Sequence, residues 1–397
     1  IAAGIFVFNP SALYMQATPM TELVFMGTLS AAVYMLQRWA GHQTRGRLAA
    51  AAIAMTVATL ARYEAWPVAM AAAFVVAFLC KGSRMERIKN ASLFSILAML
   101  GPAYWLWHNW AIYSDALEFL RGPYSARGIY LQNRATLGWS KIFVGNAALD
   151  FMLMSVTAAV CLGAMVLALA GVGLVRLIVK RRRAMLEHAP VLLLLVPFFF
   201  HVFSLYRGEI QIFPLSAFGL LNVRYGLPHL LAAAILAPAC VPLLGRLGRT
   251  GAIAVVCSIV AFQYGLILSE GPSQLAVFQE GYRNGVNARA ARERERAARA
   301  IREIRVRPMI LMHTGGLGPV VVKGGLRFSE IIHEGTLGWH KVEGVIPSEV
   351  STVIVQEGDP LDRRLEESPS LAGDLAARFH ERLSIGSIRL YERDRDD

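Results

Sequence analysis

Apolar residues run in blocks along the first two thirds of the chain, and charged residues fall almost only between the blocks. Positions 1–8 close one block, and others follow at about 20–37, 48–61, 66–80, 91–112, 147–179, 191–206, 226–244 and 251–268. Each approaches the ~20 apolar residues that a helix needs to cross a bilayer. The pattern therefore predicts the end of one helix and about eight whole spans. Two of the blocks, 48–61 and 66–80, are short, and only the triplet Arg62, Tyr63, Glu64 divides them.

After Leu268 the pattern changes. Residues 283–307 hold nine arginines interleaved with Glu293, Glu295 and Glu303, a spacing that suits a helix with i,i+4 charge pairs. Such a helix is either a solvated connector or a surface resting on anionic lipid headgroups. Beyond it, short apolar runs near 309, 326–332, 351 and 387 alternate with Gly- and Pro-bearing segments, the pattern of a small α/β domain. The expected fold is an α-helical polytopic membrane protein with a small C-terminal soluble α/β domain. The expected divisions are a membrane domain at 1–268, a basic connecting helix at 269–307 and the α/β domain at 308–397.

Composition agrees with a membrane assignment, since 55% of residues are hydrophobic and 17% charged. The net charge of +12 needs dividing before it is read. Residues 1–268 carry 21 Lys and Arg against 8 Asp and Glu, whereas residues 269–397 carry 19 against 20. The excess sits between apolar blocks, where it reports orientation, and not on a soluble face that grips phosphates. Nucleic-acid binding is excluded on this basis. One set of alternate loops holds fourteen basic residues, including the run Lys180 to Arg183, and the opposite set holds seven. The richer set is assigned to the cytoplasm, which places a multi-pass protein in the inner (plasma) membrane with its C-terminal domain extracytoplasmic. The chain opens inside an apolar stretch without an initiator Met, so it is expected to continue upstream of Ile1.

The acids of the membrane part are informative because a charge near apolar segments costs roughly 2.5–3.5 kcal/mol on insertion scales. Glu22, Glu64, Asp115, Glu118, Asp150 and Glu209 all fall on the outer side in this topology. With Thr18 as N-cap and Pro19 in the first turn, Glu22 sits one turn into a span, either capping amides or lining a cavity. Arg62-Tyr63-Glu64 interrupts two runs where irregular backbone is tolerated only against protein or a cavity. It holds a hairpin together or serves a site. Asn222-Val223-Arg224-Tyr225 repeats the logic at the mouth of another helix, where a guanidinium suits a lipid phosphate.

Cys80, Cys161, Cys240 and Cys257 read as small buried hydrophobes. His313, His333 and His340 lack the spacing of a zinc set, and the HTGG segment at 313–316 reads as a strand-to-helix loop, with an anion-binding turn as the alternative. No P-loop and no GxGxxG fingerprint is present, which favours an activated substrate borne on a lipid.

Taken in order, NPSALYMQATPMTE, RYEAW, a Trp-rich helix end running into DALEFLRGPYSA, and NVRYGLPHLLA resemble a group of bacterial polytopic proteins of the GT-C superfamily. These are glycosyltransferases that use polyprenyl-phosphate sugars, related to protein mannosyltransferases and to lipid A aminoarabinose transferases. The resemblance covers roughly residues 1–240 in scattered motifs. It implies a lipid-linked sugar donor, an acceptor of unspecified kind on the extracytoplasmic face, and inversion by a general base expected upstream of Ile1. It further implies that Glu22 and Glu64 hold sugar hydroxyls, that Arg62 and Arg224 partner the donor phosphate, and that Tyr63, Tyr124 and Tyr225 belong to the substrate site. The loop with Asp115, Glu118, Arg121 and Tyr124 is expected to cover it. No cofactor is implied with certainty, and a divalent metal stays open. The alternatives are a transporter or flippase of a lipid-linked or polar substrate, and an inactive anchor that presents the C-terminal domain.

Overall fold

The computed structural model describes every residue except 124, 134–137, 181–187, 213–221, 270–275, 282–288, 343 and 395–397. Tyr124 and most of the Lys180 to Arg183 run thus lie outside the described residues. The chain divides into a unit spanning Ile1–Glu280 and a unit spanning Gly281–Asp397.

The first unit is helical. After the short helices α1 (Ala2–Val7) and α2 (Pro10–Met15) come α3 (Glu22–Gly41), α4 (Arg45–Ala61), α5 (Ala65–Leu79), α6 (Arg84–Ala98) and α7 (Leu100–Tyr113). Helix α3 buries Phe25, Leu29, Ala32 and Leu36, one stripe at helical spacing, against α4, which answers with Leu48, Ala51, Ala52, Met55 and Ala58. The small residues on α4 let helices approach closely without a void. Helix α7 exploits this, since a Cβ on Gly101 would stand 2.2 Å from Thr59 Oγ1. Thr56 donates to Leu97 O at 2.7 Å and ties α6 to α4.

The α4–α5 break is set by backbone. Arg62 is extended, and α5 restarts at Ala65 with Pro67 in its first turn, where its missing N–H costs nothing. The block at 91–112 is likewise two helices that meet at Met99, and α6 begins earlier, at a capping box between Ser83 and Glu86. Glu86 therefore has a structural task at a helix start.

Two short helices, α8 (Glu118–Arg121) and α9 (Ala126–Asn133), occupy the loop before α10 (Ala147–Leu162) and α11 (Ala164–Lys180). The block read as one long span is these two helices, bent by 115° at Gly163, whose φ of +92 suits only glycine. Helix α12 (Ala189–Tyr206) follows. A 3₁₀ segment at Val223–His229 leads into α13 (Leu230–Leu236), a Pro-bearing 3₁₀ segment at Ala237–Leu247 and α14 (Gly248–Ser269). Helix α15 (Ala276–Gly281) follows at the end of the unit.

This corrects the expected span count. Among the described residues, two helices are long and apolar enough to cross a membrane, Ala189–Tyr206 and Val223–Ser269, or three if the bent pair counts as one. Helix α3 has the length, at 20 residues, but not the apolar composition of a span, and the other blocks fall short because their helices stop early. Helices α4, α5, α6 and α7 have 17, 15, 15 and 14 residues, below the ~20 of a full span. The apolar periodicity is real, but much of it faces neighbouring helices.

The second unit is a five-stranded sheet with helices on both faces. Its strands are β1 (Ile310–Met312), β2 (Ile331–Ile332), β3 (Thr352–Gln356), β4 (Phe379–Ile385) and β5 (Ile388–Arg393), in the order β2-β1-β3-β5-β4. The first two pairings of β1 are parallel, and the β3–β5 and β5–β4 pairings antiparallel. Strand alternation divides the core. Ile310, Met312 and Ile354 face α16 (Arg289–Ile304) and α17 (Thr314–Gly324), while Leu311, Val353 and Val355 face α18 (Leu337–His340), α19 (Pro360–Glu367) and α20 (Pro369–Arg378). The Arg-rich helix α16 belongs to this unit, with Ala297 and Ile301 in its core. Strand β4 is absent from the sequence reading, for its residues are mostly exposed and polar.

Candidate functional site

The corner between α4 and α5 holds a chain of buried charged groups. Arg62 reaches Glu22, at the start of α3, through Nη1 at 2.7 Å. Its Nε donates to Glu64 Oε1 at 2.8 Å, and Nη2 lies 2.7 Å from the same oxygen. His201, inside α12, places Nε2 2.9 Å from the same oxygen, and its Nδ1 lies 3.3 Å from His229 Nε2. On the other side Arg224 Nε meets Glu22 Oε1 at 3.1 Å and Nη1 meets Glu280 at 3.5 Å. Glu22, Glu64, His201, His229 and Glu280 are each more than nine-tenths buried.

The local backbone places these groups deliberately. Asn222 sits at φ +56, and Glu280 accepts the amides of Asn222 and Val223 at 2.7 and 2.9 Å. That carboxylate caps the 3₁₀ segment and aims Arg224 at Glu22. Tyr225 lies under both guanidiniums, with ring centroids 5.2 Å from Arg62 and 5.9 Å from Arg224. Three carboxylates thus face two guanidiniums. With both imidazoles neutral the cluster carries one negative charge. Removing one partner from such a buried set is costly because it strands the other charge.

One tautomer arrangement satisfies the chain of imidazoles. If His201 Nε2 carries hydrogen toward Glu64, its bare Nδ1 accepts from His229 Nε2–H. His229 Nδ1, which has no partner among the described residues, is then a bare lone pair beside Phe198. Any other neutral arrangement buries an unpaired N–H.

Beside this network lies a cavity of about 810 Å³. Arg62, Glu64 and His201 stand on its polar side, where Arg127 and Glu209 also line it, while Trp66, Met70, Trp105, Phe119, Phe200 and Phe203 give it an apolar wall. Tyr63 stacks on Phe119 at 5.1 Å and meets Trp66 edge-on. Glu64 Oε2 takes no hydrogen bond from a described residue, and each terminal nitrogen of Arg62 keeps a second N–H. A ligand in the cavity therefore meets an acceptor and a donor fork side by side.

The residues singled out from sequence divide accordingly. Glu22, Arg62, Glu64, Arg224 and Tyr225 converge, and Tyr63 borders the cavity. Glu22 differs in detail from its expected place: the helix starts at Glu22 itself after Thr21, and Thr18 bonds Met15 O. The loop contributes Leu117, Phe119 and Leu120 to the cavity, while Asp115 and Arg121 pair with each other at 2.8 Å on an exposed surface. The Arg121 hydrogen bonds, with help from the Leu117 amide, bring the Asp115 carboxyl down to about 2. Glu209 lines the cavity and pairs with Arg207. Asp150 stands apart, buried on α10 with neither oxygen bonded among the described residues. Asn9 is structural, capping α2 and reaching Cys161 O and Tyr264.

His201, His229 and Glu280 were missed. The signal for the histidines was present, since ionisable side chains inside apolar blocks are rare and mark polar sites.

In the second unit, His313 and His333 flank Glu334 at 3.7 and 4.0 Å. Among the described residues no three His, Cys, Asp or Glu side chains gather as metal ligands. The amide and hydroxyl of Thr314 both bond Glu334 at 2.8 Å, so the start of α17 is capped by a carboxylate of the chain itself.

No protein-family model, no curated protein and no solved structure matches this chain. The site is read from its own chemistry.

Proposed function

We propose that the chain is a membrane glycosyltransferase that moves a sugar from a polyprenyl-phosphate donor to an acceptor on the extracytoplasmic face, and that its substrates meet in the cavity at Arg62 and Glu64. The observation that supports this reading is the cavity's two kinds of wall. Aromatic and aliphatic side chains suit the first isoprene units of a lipid, and the charged side suits a sugar phosphate. The volume lies in the ~300–1,000 Å³ range of small-molecule sites.

The chemistry asked of these residues is limited and specific. The bond between the anomeric carbon and the phosphate oxygen breaks, the phosphate keeps the electron pair, and the acceptor oxygen bonds the carbon as its proton passes to water. The spare N–H groups of Arg62 stabilise the charge that grows on the phosphate. Glu64 Oε2 accepts from a sugar or acceptor hydroxyl, and the two pinning groups, Arg62 and His201, fix its direction.

A direct test uses the purified protein in nanodiscs with radiolabelled undecaprenyl-phosphate mannose, glucose and galactose. One of these should lose its sugar to an acceptor or to water. Glu64→Gln, a nearly isosteric change, should lower kcat/KM by about 10- to 100-fold, the worth of one charged hydrogen bond. Phe119→Ala should raise KM for the donor. Parental rates in both variants would sink the site assignment, and inertness toward every lipid-linked donor would sink the transferase reading.

A second reading, a transporter or flippase, draws support from one feature. Chains of Glu and His inside membrane proteins relay protons, and Glu64, His201 and His229 form such a chain. A transporter would move donor lipid or protons across proteoliposomes without releasing a phosphomonoester. The transferase releases it.

A further inference from the structure

The helix α16 has a face that the α/β unit leaves unused. Its 16 residues run about 24 Å at 1.5 Å per residue. Ala297, Ala298 and Ile301 are buried on one side. On the opposite side Arg292, Arg296, Arg299 and Arg302 are exposed within an arc of about 120° at 100° per residue, and Glu295 and Glu303 are exposed in the same arc, so the face is net basic by two charges. None of the four lies within ion-pair distance of a carboxylate among the described residues. Seven of the unit's other thirteen described Lys and Arg are ion-paired, among them Arg289 with Glu293, Lys323 with Glu295, Arg307 and Arg382 with Glu392, and Arg378 with Asp374.

The charge is also segregated along the unit. Residues 289–307 hold eight arginines against three glutamates, whereas residues 308–397 hold ten basic against fifteen acidic residues. The near-neutral sum therefore hides a basic helix on an acidic body. Such an arrangement orients a domain in a field, because the same surface that attracts one side repels the other.

We propose that the exposed arginine face of α16 is an electrostatic docking surface for anionic lipid headgroups. The inference rests on the membrane placement of the helical unit in the reading above. It adds a partner for the second unit, which that reading leaves without a task. Only 19 residues separate the end of α14 at Ser269 from Arg289, so the helix is tethered to a membrane-embedded segment. Tethering raises its effective concentration at the lipid surface. The apolar side of α16 is consumed by the sheet, so the attachment is by charge alone, without insertion. Each arginine near an anionic leaflet strengthens attachment by about fivefold, an effect confined to roughly a Debye length.

Val322, 74% exposed on α17, gives a position for a probe beside this face. Its neighbour Lys323 reaches Glu295 of α16 at 2.8 Å, and a Cβ on Gly324 would stand 3.4 Å from Ile301. In full-length protein carrying Cys257→Ser, which removes the exposed native thiol, an environment-sensitive fluorophore is attached at Val322→Cys. The protein is placed in nanodiscs of phosphatidylcholine alone or with about 30% phosphatidylglycerol, a strongly anionic surface. The expected result is reduced acrylamide quenching and a blue shift in the anionic discs. Both should be reversed at 0.5 M salt, where the Debye length is about 4 Å. Both should also be lost when the four arginines are changed to glutamine. Equal quenching in the two lipid compositions, or a shift that survives the four glutamines, would overturn the proposal. So would a response to polyphosphate or an oligonucleotide in its place. If the chain fails to co-elute with the discs at all, the membrane placement falls, and this inference with it.

Discussion

Arg62 Nη1 and Glu22 Oε1 lie 2.7 Å apart although forty positions separate the two residues. The pair joins the start of α3 to the α4–α5 corner, and both side chains are almost wholly shielded. Arg62→Met should destabilise the protein by about 3–5 kcal/mol, because it strands Glu22 and Glu64 among buried groups. Glu64→Gln in that background should recover part of the loss. Thermal unfolding of purified single and double variants measures both effects, and additivity of the two would show that they act independently.

The two histidines should differ. His201 bonds Glu64 and His229 at its two ends, whereas His229 has one bond at 3.3 Å and a second nitrogen that no described residue meets. His201→Phe is expected to cost about 1–3 kcal/mol more than His229→Phe, the penalty of a buried acceptor losing its donor. Equal losses in denaturant titrations would contradict the assigned order of the relay.

Glu280 secures the 3₁₀ segment that carries Arg224 and Tyr225. Glu280→Ala leaves the Asn222 and Val223 amides without their acceptor, at about 1–3 kcal/mol for each buried donor. Asn222→Gly should be tolerated and Asn222→Val should not, since position 222 lies in the left-handed region. Melting temperatures ordered otherwise would locate the support of this segment elsewhere.

Two glycines on α11 offer a matched test of packing. A Cβ on Gly173 would stand 1.9 Å from the carbonyl oxygen of Leu236, while one on Gly171 meets nothing within 4 Å. Gly173→Ala should cost about 1–3 kcal/mol by forcing backbone apart, and Gly171→Ala should be neutral or stabilising. The same ranking should appear in detergent and in lipid.

Acid should weaken the second unit through Glu334. Burial opposes its ionisation, but the hydrogen bonds from the Thr314 amide and hydroxyl and the nearby His313 outweigh it, so its carboxyl sits below the ordinary glutamate value. A depressed carboxyl stabilises the fold above the unfolded value of about 4.3, and the contribution disappears as pH falls through the folded value. Hydrogen exchange of β1 should therefore separate parent from Glu334→Gln at pH 6 and converge as pH drops below about 4. A gap that stays constant with pH would remove Glu334 from the account.

Much of the site was legible because charge inside apolar sequence is expensive and therefore visible. Glu22, Arg62, Glu64 and Arg224 were singled out by that cost, and Tyr225 as the neighbour of Arg224. The same reasoning, applied to acids and arginines alone, passed over His201 and His229. Glu280 gave no such signal, since it lies beyond the last apolar block and acts on backbone amides fifty-seven and fifty-eight positions away. Partners this remote leave no periodicity in the chain.

By itself, the sequence determined the helical character of residues 1–268, the change of architecture beyond them and the identity of most groups too costly to bury unpaired. These follow from local composition and spacing, which act through the period of the helix and the strand. Tertiary structure decided where each helix ends, that 147–179 bends at Gly163, that α16 joins the sheet and that three carboxylates share two guanidiniums. Such outcomes depend on which surfaces meet. Burial energy belongs to pairs of elements, and apolar periodicity alone does not tell a face turned to lipid from one turned to another helix.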